Sequence, residues 1–198
     1  MRAGLALLVI SILTACGPVL APSAAITPGG TGAANASAPR ISAPPVTPPT
    51  PPGTNLPAFA CSDFSGGKTG VANTINARVG EQQTYDRFVL QFDSTVPTYN
   101  VTRQDKPVFP LGASGQNVTL SGTAGVLVRV HSATGATTFT GPTDIIHPEY
   151  QVLKEARQTV DFEGYLSWGL GLSKPTCIRA FTLSDPARLV VDLRIPTS

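Results

Sequence analysis

The side chains that could do chemistry are few in this chain of 198 residues, and their spacing matches no common catalytic or metal-binding motif. The only two histidines, His131 and His147, lack the His-Glu-x-x-His spacing of zinc enzymes, and the cysteines lack Cys-x-x-Cys spacing. Ser114 stands in Gly-Ala-Ser-Gly, without the second glycine of a nucleophile elbow. We therefore expect that the chain is not an enzyme and that it holds no metal and no cofactor.

Other local patterns that could bind or hydrolyse a ligand are incomplete. Residues 67–69 end like a phosphate loop but lack its upstream glycine, and residues 169–171 lack the third glycine of a dinucleotide-binding loop. A pair of carboxylates can hydrolyse a glycosidic bond, although no spacing marks such a pair among Asp93, Asp161, Glu163 and Asp185. A hydrolase of the cell envelope (an envelope hydrolase) is a further alternative for the function of this protein.

Arginine and tyrosine side chains on the outward positions of predicted strands indicate binding instead. The planar guanidinium group of arginine bonds a carboxylate through two parallel hydrogen bonds, which favours Arg87 and Arg188 as partners of an acidic ligand. Arg129 and Arg194 occupy similar positions, and the ring of Tyr165 offers a platform for a sugar ring. The alternative is an ordinary solvated sheet face, on which arginines pair with aspartates of neighbouring strands.

The charge balance excludes nucleic acid as a partner. Residues 59–198 contain twelve Lys or Arg and twelve Asp or Glu, so the formal charge of +2 comes from Arg2 and Arg40. A protein that binds nucleic acid usually clusters its basic residues, and this chain has no run of Lys or Arg.

Alternation of apolar and polar residues predicts the strands that carry these side chains. Every second residue is apolar in residues 87–93, 126–131 and 188–195, the pattern of half-buried strands. Residues 117–120 are expected to pair with the second of these strands or to lead into it. Residues 177–183 and 188–195 flank a Ser-Asp-Pro-Ala turn and predict a closing hairpin. The predicted fold class is all-β, an antiparallel sandwich or barrel.

Residues 162–172 have an alternation of their own. One face collects the apolar residues, so core packing is the expected role of Trp168, and the members of that face are Phe162, Leu166, Trp168, Leu170 and Leu172. Gly169 and Gly171 on the other face predict a bend, a bulge or the close approach of another segment. Residues 150–159 allow either a strand or a short helix, because residues 154–157 favour helix locally.

The first sixteen residues have the layout of a bacterial export signal. Arg2 precedes an apolar run over residues 3–13, which is too short to cross a bilayer. The following Leu13-Thr14-Ala15-Cys16 resembles the lipobox of bacterial lipoproteins. The resemblance implies that residues 1–15 are a cleaved signal peptide, that Cys16 carries lipid including palmitate, and that the protein is anchored on the extracytoplasmic face of the cell membrane. A freely secreted protein with Cys16 lost or unmodified is the alternative.

Export has consequences for the rest of the chain. Residues 16–58 are rich in Pro, Ala, Thr and Gly and predict a disordered linker, with a proline ligand for an aromatic groove as the alternative. Cys61 and Cys177 then remain as a pair in an oxidising compartment and predict one disulfide; two free thiols are the other possibility. Residues 59–198 are a normal length for one domain.

Two segments share a pattern that resembles a known family. Residues 87–92 and 188–193 both read Arg, apolar, Val, apolar, polar, apolar, and residues 181–187 before the second segment contain the Ser-Asp-Pro-Ala turn. Together they resemble the AMIN domain of N-acetylmuramoyl-L-alanine amidases and secretins. Tyr-Asp-Arg-Phe-Val at residues 85–89 and Trp-Gly-Leu-Gly-Leu at residues 168–172 are more similar to the AMIN-like domain of bacterial lipoproteins.

The resemblance covers most of residues 60–196 and implies an antiparallel β-sandwich of two short sheets. It also implies a non-catalytic role, with peptidoglycan or another envelope component, such as an envelope protein, as partner. Cys61, Cys177 and the loop at residues 112–115 depart from the pattern of the family. A carrier for a lipid or a small apolar ligand is the alternative function.

Overall fold

The computed structural model describes residues 55–197. The predicted signal peptide, Cys16 and residues 16–54 of the predicted linker lie outside the described residues. Within residues 55–197, no helix is long and apolar enough to cross a membrane.

The described residues form strands and turns without a helix, as the alternation predicted. The strands are β1 (Phe64–Gly66), β2 (Ala72–Glu81), β3 (Tyr85–Phe92), β4 (Tyr99–Gln104), β5 (Val108–Leu111), β6 (Gln116–Thr119), β7 (Ala124–His131), β8 (Ala133–Thr134), β9 (Asp144–Ile146), β10 (Leu153–Phe162), β11 (Tyr165–Leu172), β12 (Ile178–Leu183) and β13 (Arg188–Arg194).

The strands build two main sheets and a separate hairpin. The six-stranded sheet has the order β1-β4-β7-β11-β10-β9, and the five-stranded sheet has the order β12-β13-β3-β2-β8. Neighbouring strands are antiparallel except for the short parallel pair β2 and β8. Strands β5 and β6 pair only with each other. The predicted antiparallel sandwich of two sheets is confirmed, with this hairpin as an addition.

Apolar side chains from both sheets fill the space between them. The ring of Phe88 on β3 lies 5.4 Å from the ring of Trp168 on β11, and both side chains are fully buried. Burying one such side chain contributes about 1.5–3 kcal/mol. The residues predicted to face the core from β3, β7 and β11 are buried there, and these include Phe88, Leu90, Phe92, Val126, Val128, Val130, Leu166, Trp168, Leu170 and Leu172.

A buried carboxylate also joins the two sheets. Asp86 on β3 is fully buried, and its Oδ2 accepts hydrogen bonds from the backbone N–H groups of Val152, at 2.7 Å, and Leu153, at 2.8 Å. These two residues lead into β10 of the opposite sheet. Buried polar atoms of proteins are normally hydrogen-bonded, and here the two bonds to Asp86 fix where β10 begins.

Three sequence predictions need correction or completion. Residues 162–172 do not form one strand, because Glu163 and Gly164 turn the chain with positive φ values of 49° and 77°. Phe162 is therefore 50% exposed and lies away from the buried face that contains Trp168. Residues 153–162 form strand β10, because pairing with β9 and β11 outweighs the local preference for helix. Strand β6 leads into β7 but pairs with β5.

The predicted close approach at the glycines of β11 is confirmed. The β5–β6 hairpin packs on the outer face of the six-stranded sheet, where Phe109 is fully buried against Gly125 and Gly169. A Cβ atom added to Gly169 would lie 2.6 Å from the Phe109 ring, and one added to Gly171 would meet the carbonyl oxygen of Ser121. These glycines therefore make room for the hairpin.

The predicted disulfide between Cys61 and Cys177 is present. It joins the segment before β1 of one sheet to the residue before β12 of the other, across a separation of 116 residues. Arg103 supports this corner by donating to the carbonyl oxygens of Cys61, at 2.8 Å, and Thr176, at 3.0 Å. In the chain-entropy model, closing a loop of this length contributes about 4–5 kcal/mol.

The glycine contact gives a test of the fold. We expect Gly169→Ala to lower the free energy of unfolding by about 1–3 kcal/mol, because the new methyl group overlaps the buried Phe109 ring. Urea denaturation measures this change. Gly80→Ala is the matched control, since nothing lies within 4 Å of its added Cβ and it should not be destabilised. Equal stability of the two variants would contradict the contact.

Candidate ligand-binding surfaces

The structure separates the three residues predicted to bind a ligand. Arg87 on β3 and Arg188 on β13 point outward from the five-stranded sheet, on the side opposite to buried Phe88 and Leu189. Tyr165 begins β11 and points outward from the six-stranded sheet. Because the sheets pack through their inner faces, Tyr165 lies on the other side of the domain and shares no site with the two arginines.

The outer face of the five-stranded sheet, here called the arginine face, is centred on the buried carboxylate of Asp192. Arg87 donates to it through Nε, 2.6 Å from Oδ1, and Nη2, 2.9 Å from Oδ2. From the other side, the Nε of Arg179 donates to Oδ2 at 2.6 Å. Asp192 lies opposite Arg87 on β3 and opposite Arg179 on β12, so this is a cross-strand Arg/Asp pairing. The hydrogen bond to Asp192 raises the pKa of Arg87 above its ordinary value.

Aromatic rings hold both guanidinium groups in place. The guanidinium carbon of Arg179 lies 4.4 Å from the ring centre of Phe59 and 4.8 Å from that of Tyr85. The corresponding distances from Arg87 are 5.1 Å to Tyr85 and 5.6 Å to Phe181. Such cation–π contacts are attractive at these distances. The centre of the arginine face is therefore a structural unit, built on two residues that the sequence analysis had not singled out, Arg179 and Asp192.

None of the three remaining arginines of this face pairs with a carboxylate in the part of the chain that the structure describes. Arg188 donates to the carbonyl oxygens of Pro186, at 3.0 Å, and Asp185, at 3.3 Å, and so closes the β12–β13 turn. Arg78 on β2 donates to the Oε1 of Gln91 at 3.2 Å. Arg194, at the end of β13, is exposed.

A second surface, here called the Tyr165 groove, crosses the outer face of the six-stranded sheet. Strand register places Ser65, Asn100, Arg129 and Ser167 side by side on β1, β4, β7 and β11. A groove of about 330 Å³ runs along the first three of these residues, and it is lined by Asp63, Phe64, Ser65, Asn100, Thr102, Leu127 and Arg129. Ser167 is buried and lies outside this lining.

An aromatic pair extends this row. Tyr165 lies opposite His131 in the β7–β11 pairing, and their rings meet edge to face at 5.1 Å. The Nε2 of His131 lies 3.3 Å from the Nδ2 of Asn100, which joins the pair to the groove. Tyr165 remains 49% exposed. Hydroxyl, amide and guanidinium groups can hydrogen-bond sugar hydroxyls, and the exposed ring beside them can stack on a sugar ring.

The side chains considered for catalysis have local partners. His147 stacks on the ring of Tyr150 at 4.4 Å, and its Nδ1 lies 2.6 Å from the Oε1 of Glu149, whose pKa is lowered by that contact. Ser114 donates from its hydroxyl to the carbonyl oxygen of Leu111 within the β5–β6 turn. Across residues 55–197, no group of three or more His, Cys, Asp or Glu side chains is placed to hold a metal ion.

The buried ion pairs give a second test. We expect Asp192→Asn to lower the free energy of unfolding by about 3 kcal/mol, because Arg87 and Arg179 would share a poorly hydrated site without an opposite charge. Chemical denaturation measures the loss. The control is Asp185→Asn in the exposed turn, which should change stability by less than about 0.5 kcal/mol. Similar small effects of both substitutions would show that the Asp192 pairs contribute little.

Comparison with protein families matches residues 72–195 to the model described as the AMIN-like domain. Comparison with curated proteins and with solved structures gave no match. The matched residues run from the first residue of β2 to the residue after β13, and so include both candidate surfaces except Phe59, Asp63 and β1. The chain belongs to the AMIN-like domain family.

Proposed function

We propose that this chain is a lipid-anchored extracytoplasmic protein whose AMIN-like domain binds peptidoglycan in the cell envelope and catalyses no reaction. Membership of the family supports association with the envelope. The choice of peptidoglycan as the ligand rests on the Tyr165 groove. This groove places polar side chains in a row beside a half-exposed ring, which suits a polymer of amino sugars.

The Tyr165 groove is suited to an extended ligand because it crosses several adjacent strands of the six-stranded sheet. Its exposed residues, from Ser65 on β1 to Tyr165 on β11, lie on four adjacent strands spaced about 4.8 Å apart, so the surface extends over roughly 15 Å. That length accommodates two or three sugar rings in line. Arg129 has no ion-pair partner among residues 55–197, so its guanidinium group is available to an acidic or carbonyl group of the polymer.

A non-catalytic role agrees with the local contacts of the candidate catalytic groups. His131 interacts with Tyr165 and Asn100, while His147 interacts with Tyr150 and Glu149. Each histidine thus takes part in an aromatic pair, and no hydroxyl nucleophile is among these contacts. The alternative of a carrier for lipid or small apolar ligands gains no support from the region between the sheets, which Trp168 and the surrounding apolar side chains fill.

Tyr165 provides the test of peptidoglycan binding. We expect Tyr165→Ala to weaken co-sedimentation with purified peptidoglycan about tenfold, which corresponds to about 1.4 kcal/mol for the lost stacking contact. The control is Val71→Ala, a substitution at a side chain that is 77% exposed and outside the groove, and it should leave binding unchanged. Failure of the unchanged, disulfide-bonded protein to co-sediment would exclude peptidoglycan as the ligand.

Cys16 provides the test of anchoring. We expect Cys16→Ala to abolish incorporation of labelled palmitate and to release the exported protein from the membrane fraction, because two or more acyl chains are needed for stable attachment. Palmitate labelling and membrane fractionation measure both effects. Cys61→Ala is the matched control and should still be labelled. Unchanged membrane association of Cys16→Ala would contradict the lipid anchor.

A further inference from the structure

The arginine face carries more positive charge than the single carboxylate at its centre, Asp192, can balance. Strand register places five arginines on this outer face, with Asp192 as the one carboxylate among them; the arginines are Arg78, Arg87, Arg179, Arg188 and Arg194. The domain as a whole contains equal numbers of basic and acidic residues. The positive charge is therefore concentrated on one face rather than spread over the domain.

Among the described residues, only two of these arginines have an ion-pair partner, and they share one carboxylate. Within residues 55–197, ion pairs are formed by Arg87 and Arg179 with Asp192, whereas Arg78, Arg188 and Arg194 have no carboxylate within ion-pair distance. The other carboxylates of these strands are Asp86, which faces inward, and the exposed Glu81 at the end of β2; Asp93 follows β3 and Asp185 precedes β13. One of them, Asp93, is held by the backbone and side-chain N–H groups of Asn73.

The spacing of these arginines suits an extended ligand with several negative charges. Outward residues of one strand are about 7 Å apart, so the distance from Arg188 to Arg194 along β13 is roughly 20 Å. Arg78 stands two strands away on β2, which widens the charged area. The partly exposed rings of Tyr85 and Phe181 lie between the charges and can contact apolar atoms of a ligand.

We propose that the arginine face is a second binding surface, separate from the Tyr165 groove, and that it binds a carboxylate-rich peptide segment of an envelope partner. Charge complementarity identifies the occupant. The guanidinium group of Arg87 already binds one carboxylate with two parallel hydrogen bonds, which is the geometry that the exposed arginines offer to others. The rings between them favour a peptide over a bare inorganic polyanion, because a peptide brings apolar atoms as well as charge.

Fluorescence anisotropy with labelled hexaglutamate tests this proposal on the purified full chain. We expect the unchanged protein to bind at 25 mM salt and to bind at least tenfold more weakly at 200 mM, because salt screens exposed charges. Arg78→Gln combined with Arg194→Gln should weaken binding at least tenfold, since both side chains are exposed and neither belongs to the buried pairs. Circular dichroism melting verifies that the double variant remains folded.

Matched variants make the outcome specific. Lys106→Gln combined with Lys174→Gln removes the same charge from exposed positions outside the face and should change binding less than twofold. Tyr165→Ala should also bind hexaglutamate normally. The acidic-peptide proposal can therefore fail while peptidoglycan binding stands, and peptidoglycan binding can fail while the acidic-peptide proposal stands. Equal losses in the lysine and arginine variants, absence of hexaglutamate binding, or tighter binding of polyphosphate of equal charge would each overturn the proposal.

Discussion

The contact between Phe88 and Trp168 in the core determines where every candidate binding residue lies. Side chains of a strand alternate between its two faces, so turning Phe88 inward turns Arg87 outward, and turning Trp168 inward turns Tyr165 and Gly169 outward. A shift of one residue in either strand would exchange the buried and exposed side chains. The arginine face and the Tyr165 groove are thus two consequences of one packed layer.

Two buried aspartates have different roles in this arrangement. Asp86 faces inward and binds backbone N–H groups of the opposite sheet, so it holds the two sheets together. Asp192 faces outward and binds Arg87 and Arg179 within its own sheet. The first carboxylate stabilises the sandwich, and the second organises one of its surfaces. The two aspartates lie on neighbouring strands. Asp192 on β13 is paired with Arg87 on β3, the residue that follows Asp86.

Sequence reasoning predicted faces better than it predicted neighbours. The alternation around Phe88, Val128 and Trp168 identified the buried face of each strand correctly, because a period of two residues is visible within one segment. It could not show that Arg87 and Tyr165 belong to different sheets, because strand order depends on long-range pairing. The turn at Glu163 and Gly164 was missed because the apolar alternation continues across it from Phe162 to Leu166, although Gly164 is a turn-forming residue. The position of the β5–β6 hairpin on the sheet was missed because Phe109 packs on Gly125 and Gly169, which are distant from it in sequence.

The disulfide has a mechanical consequence when the domain is pulled from its N-terminal side. Cys61 precedes β1, a strand of three residues that pairs only with β4. A pulling force applied before residue 59 would first meet the Phe59–Arg179 contact and the backbone hydrogen bonds between Ala60 and Ile178. It would then pass through the covalent bond from Cys61 to Cys177 and β12. From there it would spread into the five-stranded sheet, whose strands pair over six or more residues at β12, β13 and β3. Strand β1, with its three residues, is thereby relieved of the load.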